Sequence, residues 1–259
     1  MSVIDVQNVW KRFRIPHEKR YTILDHLAGI LPSITGKSSF EEFWALKEVQ
    51  VGLERGESLG IIGPNGSGKS TLLKLLACVM KPDKGSIKTN GSIAPVLELG
   101  IGFNGDLTVK ENAQVYGILM GLSRVQMKKL IKPIISFAEL ERFEDTKLKH
   151  LSSGMQVRLA LSIALETSAD IFLVDEALAG GDMEFQEKCL DRFREFKKED
   201  KTIVLVSHNM GLIEDFCERS LYLLKGEVKA FGESNEIIQK YLDDVNQGIH
   251  QQNPTSYPT

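Results

Sequence analysis

Apolar and polar positions alternate with a period of two over residues 3–9 (V-I-D-V-Q-N-V) and again over 44–53 (W-A-L-K-E-V-Q-V-G-L). That is the pattern of half-buried strands. Residues 58–62 form a short apolar run that stops at a glycine-rich loop, and residues 68–80 continue as a helix apolar on nearly every side, the pattern of a buried helix. The turn K-P-D-K-G at 81–85 leads to strands at 86–89 and 92–97. Residues 108–166 read as helices throughout. A buried strand at 171–174, a helix at 184–199 and a buried strand at 203–206 follow. A hairpin joins 219–224 to 227–231 about Lys225-Gly226, and a last helix covers 234–245 with Ser234 at its cap. Strands alternating with helices predict an α/β fold: a mainly parallel sheet flanked by helices, plus an antiparallel part at the N-terminus.

Two stretches depart from this rhythm. Within residues 14–43, Ile23, Leu24, Leu27, Ile30, Leu31 and Ile34 recur at helical spacing, and Pro32 ends the helix at about Leu31. From Asn246 onward the tail lacks apolar periodicity and is expected to be disordered. No internal repeat is present. The expected organisation is one folded domain over residues 1–245, with a helical part at about 100–166, and a tail over 246–259.

Composition narrows the class. The 259 residues carry a net charge of −3, which argues against a general nucleic-acid coat. Hydrophobic residues at 42% and charged residues at 26% are ordinary for a soluble globular protein. No apolar run reaches the roughly 18 residues needed to span a bilayer. The first residues, M-S-V-I-D, show no signal-peptide pattern. Cys78, Cys189 and Cys217 lie too far apart for a metal motif and fit a reducing cytoplasm.

The chemistry lies in two motifs. Gly63, Pro64, Asn65, Gly66, Ser67, Gly68, Lys69, Ser70 and Thr71 match G-x-x-x-x-G-K-[ST] in full, after an expected strand and at the start of an expected helix. The glycines let backbone N–H groups turn inward around phosphate oxygens, and the helix N-terminus adds partial positive charge. Lys69 can reach the β- and γ-phosphates, and the Ser70 hydroxyl can ligate Mg²⁺. The apolar run I-F-L-V ends in Asp175 and Glu176. Asp175 at a strand's carboxyl end can hold Mg²⁺, and Glu176 can polarise the attacking water as general base. Together they point to hydrolysis of a Mg²⁺-bound nucleoside triphosphate.

The segment L-S-S-G-M-Q at 151–156, before a helix rich in Leu, Ala and Ile, resembles the signature sequence of ATP-binding cassette (ABC) ATPases. Ser152, Ser153, Gly154 and Met155 stand at a helix N-terminus, a natural anion site. The resemblance implies that this site faces the γ-phosphate of ATP held by a second copy of the chain. It further implies that Asp182 of A-G-G-D is the D-loop aspartate, that His208 contacts the γ-phosphate, and that an aromatic soon after the first strand stacks on adenine. Phe13 matches best, with Trp10 and Trp44 as alternatives. Where many cassettes carry a glutamine, this chain has L-E-L-G-I-G-F-N, so Glu98 is the candidate Mg²⁺ contact. The interval from Lys69 to Asp175 leaves no room for the long coiled coils of chromosome-maintenance ATPases, and a single cassette sets the chain apart from ribosome-associated factors.

Four departures from the common cassette occur together: the S-S-G-M signature, the L-E-L-G-I-G-F-N segment, D-E-A-L-A-G-G-D after the second motif, and the extra residues before W-A-L-K. The combination resembles ATPase subunits of polysaccharide exporters, those for O-antigen, capsule and teichoic acid. A transporter for drugs, lipids or other small molecules is the alternative. The resemblance implies ATP and Mg²⁺ as cofactors and two copies of a transmembrane permease as partners. It implies a lipid-linked glycan as cargo, no nucleic acid, and a place at the cytoplasmic face of the membrane. It also suggests that the helix at about 19–31 lies at the membrane surface, against the alternative that it packs on the domain's own sheet.

Overall fold

The computed structural model describes residues 2–16, 40–97, 99–175 and 182–249. Two long strands, β1 (Ser2–Pro16) and β2 (Phe40–Glu54), pair antiparallel, and β4 (Lys84–Thr89) joins the other side of β1 in a three-stranded sheet. Alternation builds this sheet: Val3, Ile4, Val6 and Val9 of β1 and Leu46, Val49, Val51 and Leu53 of β2 are buried. Asn8 and Glu48 take positive φ (49° and 52°) where the β1–β2 register shifts. Such bulges bend and twist a ribbon. Both strands extend beyond the sequence expectation, so the described flanks of the 14–43 segment are strand. The helix expected at about 19–31 lies outside the described residues, as does the part of the C-terminal tail from residue 250.

The second sheet has six strands in the order β5 (Ile93–Val96), β6 (Ile171–Asp175), β7 (Thr202–Val206), β3 (Ser58–Ile62), β8 (Arg219–Leu224), β9 (Glu227–Glu233). Every neighbouring pair is parallel except the β8–β9 hairpin. Lys225 and Gly226 both have positive φ (52° and 83°), which gives that hairpin its tight turn. The period-two pattern splits the sheet's side chains between two cores. Ile61, Leu173, Val204 and Leu221 face the antiparallel sheet and helix α1 (Lys69–Leu76). Ile62, Phe172, Ile203 and Tyr222 face the opposite layer, which holds Phe185, Phe193 and Phe196. These three phenylalanines belong to helix α5 (Met183–Lys198).

Residues 109–165 form a separate helical part: α2 (Val109–Leu119), α3 (Arg124–Phe137), two short 3₁₀ turns and α4 (Ser153–Leu165), with a core of their own. Thr108 and Ser123 open α2 and α3 with capping boxes to Glu111 and Gln126. Helix α1 stops at Leu76, short of the expected residue 80. Cys78 turns left-handed (φ 58°) while Cys78 N donates to Leu75 O and Val79 N to Lys74 O, a Schellman ending built without glycine. Helix α6 (Met210–Phe216), capped by Asn209, was not evident from periodicity.

The last helix, α7 (Ser234–Asn246), corrects one expectation. Glu233, not Ser234, is its N-cap residue, and no side chain caps it. Ser234 is instead buried, its hydroxyl bonded to that of Ser220 at 2.8 Å. The helix is fastened to β8 a second time by the Tyr222 hydroxyl, which donates to Asp244 at 3.1 Å in the interior. The three cysteines are free, and burial pushes the thiols of Cys189 and Cys217 up to about 12, so both serve as packing groups.

Phe172 is fully buried and stacks on Phe196 with ring centroids 4.3 Å apart. Replacing it with alanine is expected to lower stability by about 3–5 kcal/mol, read as a reduced midpoint at unchanged slope in urea denaturation.

Candidate functional site

The carboxyl ends of β3, β6 and β7 lie side by side, with Ile61 and Asp175 each in register with Val206. Open α/β sheets bind ligands outside these strand ends. Here the loop after β3, Asp175 at the end of β6 and His208 beyond β7 line one cavity of about 550 Å³. Leu97, beyond β5, adds to its wall. Asn65, Gly66, Gly68, Lys69, Ser70 and Thr71 of the expected phosphate loop all line it as well.

The loop is shaped by contacts that only glycine allows. A Cβ on Gly63 (φ 146°) would come within 2.2 Å of the Leu223 carbonyl oxygen, and one on Gly68 (φ 108°) within 2.7 Å of the Ala45 carbonyl oxygen. Gly68 is also the N-cap residue of α1 and has no side chain to bond the first N–H groups of the helix. Those groups, with the positive end of the helix dipole, suit an anion. The Lys69 ammonium is buried and donates to the carbonyls of Gly63 (2.8 Å) and Pro64 (3.1 Å), inside the curl of the loop. Ser67 Oγ is buried with no hydrogen-bond partner. An orphaned donor beside a lysine and a helix N-terminus fits a phosphate group.

The metal donors expected from the sequence are few. Ser70 and Asp175 line the same cavity. Among the described residues no group of three or more His, Cys, Asp or Glu side chains could hold a metal ion. The Ser70 hydroxyl and the Asp175 carboxylate are hard oxygen donors of the kind that suit Mg²⁺, which takes one or two protein oxygens and fills its octahedron with phosphate oxygens and water. Glu98 and Glu176 lie outside the described residues, as do residues 176–181 in general.

Of the three candidate adenine aromatics, Phe13 lines the cavity. Trp10 and Trp44 instead pack edge to face on one another at 5.4 Å, with the Lys84 ammonium over both rings. Phe43 and Ala45 of β2 also line the cavity and were missed by sequence reasoning. The signal is the alternation itself: it runs on N-terminal to Trp44, the expected start of the strand, and puts 43 and 45 on one face.

The signature residues form a second site, apart from the first. Ser152 caps α4 by accepting from Met155 N at 3.2 Å. Ser152, Gly154 and Met155 line another cavity, of about 440 Å³, together with Arg158, Asp182 and Glu139. Arg158 binds Glu139 at 2.7 Å and also pairs with Asp182, which caps α5 by accepting from Phe185 N at 3.0 Å. None of these residues lines the phosphate cavity. The two cavities share no lining residue.

A glycine-rich phosphate loop at the carboxyl edge of a parallel sheet, with an acid at the end of a neighbouring strand, defines a P-loop nucleotide-binding protein. Residues 46–179 match the family described as ABC transporter. Relatives include the O-antigen export system ATP-binding protein RfbB of Klebsiella pneumoniae, 38% identical over 92% of this chain and 97% of that protein. The teichoic acids export ATP-binding protein TagH of Listeria innocua is 39% identical over 79% of this chain, which spans 61% of its length. A dimeric ATP-binding cassette solved in a post-hydrolysis state with ADP and Pi superposes with a TM-score of 0.70 at 27% identity, over 89% of this chain and 98% of that one. The chain belongs to the ATP-binding proteins of the ABC transporter family.

Gly226 and Gly66 both have positive φ, but a Cβ on Gly226 would lie 2.7 Å from the Ala45 carbonyl oxygen, whereas one on Gly66 meets nothing within 4 Å. Gly66→Ala is expected to cost about 1–2 kcal/mol of backbone strain alone, and Gly226→Ala clearly more. Chemical denaturation of the two variants checks the order.

Proposed function

We propose that the chain is the ATP-hydrolysing subunit of a polysaccharide exporter, powering movement of a lipid-linked glycan of O-antigen, capsule or teichoic acid type through a separate permease. The observation that supports it most directly is the 38% identity to an O-antigen export ATP-binding protein across nearly the full length of both chains. Teichoic acid export relatives match as well, among them that of Staphylococcus haemolyticus at 37% over 93% of this chain. In this reading, Gly63–Thr71 cradle the triphosphate, Lys69 neutralises the β- and γ-phosphates, Ser70 and Asp175 hold Mg²⁺, and Phe13 stacks on adenine. Glu176 activates the water and His208 contacts the γ-phosphate.

The separation of the two cavities supports a pair of chains. The signature residues, with Asp182 beside them, close on ATP held by a second copy, so two nucleotides lie between two cassettes. Closure driven by ATP and reopening by hydrolysis is then passed to two permease subunits. An exposed apolar group on the helical part fits a permease contact: Ile101, Val115, Ile118, Leu119 and Val125 are all 44–67% exposed. A Cβ on Gly102 would lie 3.4 Å from Leu119, so the loop and α2 adjoin in this patch. Among the described residues no helix is long and apolar enough to cross a membrane. In this reading the chain works at the cytoplasmic face of the membrane, held there by its permease.

Glu176→Gln is expected to keep ATP binding, lose about 10²–10⁴-fold in turnover, and accumulate as an ATP-bound dimer. Phosphate release and size-exclusion chromatography read both effects, and near-normal turnover would sink the assignment. A mixture of Gly154→Asp and Lys69→Ala chains should show residual ATPase that neither pure variant has, because one mixed arrangement gathers both lesions on a single site. Absence of any rescue would count against a composite site that can work alone. Stimulation of ATPase by lipid-linked glycans, assayed with the permease, tests the cargo class.

A further inference from the structure

We propose that Asn112 is a positioning residue for the signature half-site: it pins the loop at 104–108, and that loop holds the segment from which the signature helix starts. This rests on the reading above in which two chains share each ATP. It gives a role to a buried polar residue that lines neither cavity.

Asn112 stands near the start of α2 and is 1% exposed. Asparagine is a poor helix former because its side chain competes for nearby backbone groups. Here that competition is used. Asn112 Oδ1 accepts from Asn104 N at 2.8 Å, and Nδ2 donates to the carbonyls of Asn104 (2.9 Å), Thr108 (3.0 Å) and Leu107 (3.2 Å). One turn on, Tyr116 grips the same loop: Phe103 packs edge to face on its ring, with centroids 4.9 Å apart. Positions 112 and 116 share a face of the helix.

The loop held in this way is the partner of the segment before the signature. Leu148 N donates to Leu107 O at 2.9 Å, Lys149 N to Gly105 O at 3.1 Å and Val109 N to Thr146 O at 3.0 Å. Thr108 pairs with Lys147 as an isolated antiparallel bridge, and Lys149 adds an ion pair to Asp106 at 2.7 Å. The signature helix rests on this segment in turn. Gln156 Nε2 donates to the carbonyls of Leu148 (3.3 Å) and Leu151 (3.2 Å), and both leucines bury their side chains in the core of the helical part. Ser152, the N-cap of α4, follows Leu151 at once.

A path of amide and backbone hydrogen bonds therefore runs from Asn112 to the cap of α4. The N–H groups at that cap serve an anion only when they point at it. A misplacement of about 1 Å can cost about 10²-fold in rate. An asparagine that merely supported the fold would lower stability without favouring one half-site over the other.

The test is complementation between variant chains, with ATPase read as phosphate release and affinity by calorimetric titration of the whole chain with ATP and Mg²⁺. Asn112→Ala alone is expected to bind ATP within about twofold of the unmodified chain and to turn over about 10–100-fold more slowly. Mixed with Lys69→Ala it should regain activity, because both lesions can fall on one site and leave the other whole. Mixed with Gly154→Asp it should regain none, because each site then carries a damaged signature. Asn112→Asp keeps the acceptor for Asn104 N and gives up the amide donors. It serves if the alanine variant fails to fold, and should behave in the same way. Unchanged turnover overturns the proposal, as does a parallel loss of ATP affinity or an equal rescue by Gly154→Asp. Failure of both variants to fold also overturns it, since Asn112 would then act in folding alone. If Lys69→Ala and Gly154→Asp do not complement each other, the composite-site reading falls and this inference with it. If they do, and Asn112→Ala does not follow the pattern of Gly154→Asp, this inference alone is lost.

Discussion

The carbonyl oxygen of Ala45 holds the architecture of the site together. It projects from β2 between two glycines, Gly68 of the phosphate loop and Gly226 of the β8–β9 turn, and a Cβ on either would approach it to 2.7 Å. Hydrogen bonds fasten the same junction: Lys47 N donates to Gly226 O at 2.8 Å, and Gly226 N donates to Ser67 O at 3.0 Å. One chain of backbone contacts therefore runs from the antiparallel ribbon through the β8–β9 turn into the phosphate loop. Close backbone approach is what the glycines supply, and larger residues would force the ribbon away from the loop.

The two core layers give the parallel strands their rigidity and so set the positions of the polar groups beyond their ends. Ile61 and Ile62 face opposite layers, as do Leu173 and Phe172 and then Val204 and Ile203. Each strand is gripped on both faces up to its carboxyl end, and the chain becomes polar only there, at Asp175 and His208. Register pairing then sets these groups side by side across β6, β7 and β3. The helical part has a separate core, which lets the signature residues occupy their own cavity.

Much of this was legible in the chain. The glycine pattern, the apolar run before Asp175 and the alternation in β1 and β2 each follow from local rules with little competition. The failures share a cause: they occur where tertiary contacts replace the expected local signal. Just past the ends of α1 and α3, Cys78 and Glu139 (φ 58° and 60°) take the left-handed conformation that glycine ordinarily marks. Ser234 looked like a cap, but Ser220 across the core claims its hydroxyl. Helix α6 has seven residues, too few to show periodicity. Phe43 was hidden because its partner is set by strand register across a segment of more than twenty residues, and Arg158 because Glu139 and Asp182, its two carboxylates, are distant in the chain.

The Tyr222–Asp244 hydrogen bond alters how the end of this domain behaves over time. A C-terminal helix is ordinarily the first element to fray, and its amides exchange through small local openings. In α7, Asp244 sits in the last turn, 8% exposed, and takes the hydrogen bond of a hydroxyl that is fully buried. Burial holds the Tyr222 phenol in its protonated form and so keeps it a donor. Opening the last turn removes that acceptor from the interior at the same moment that it exposes the helix. Fraying of the last turn of α7 therefore carries the added cost of this buried hydrogen bond.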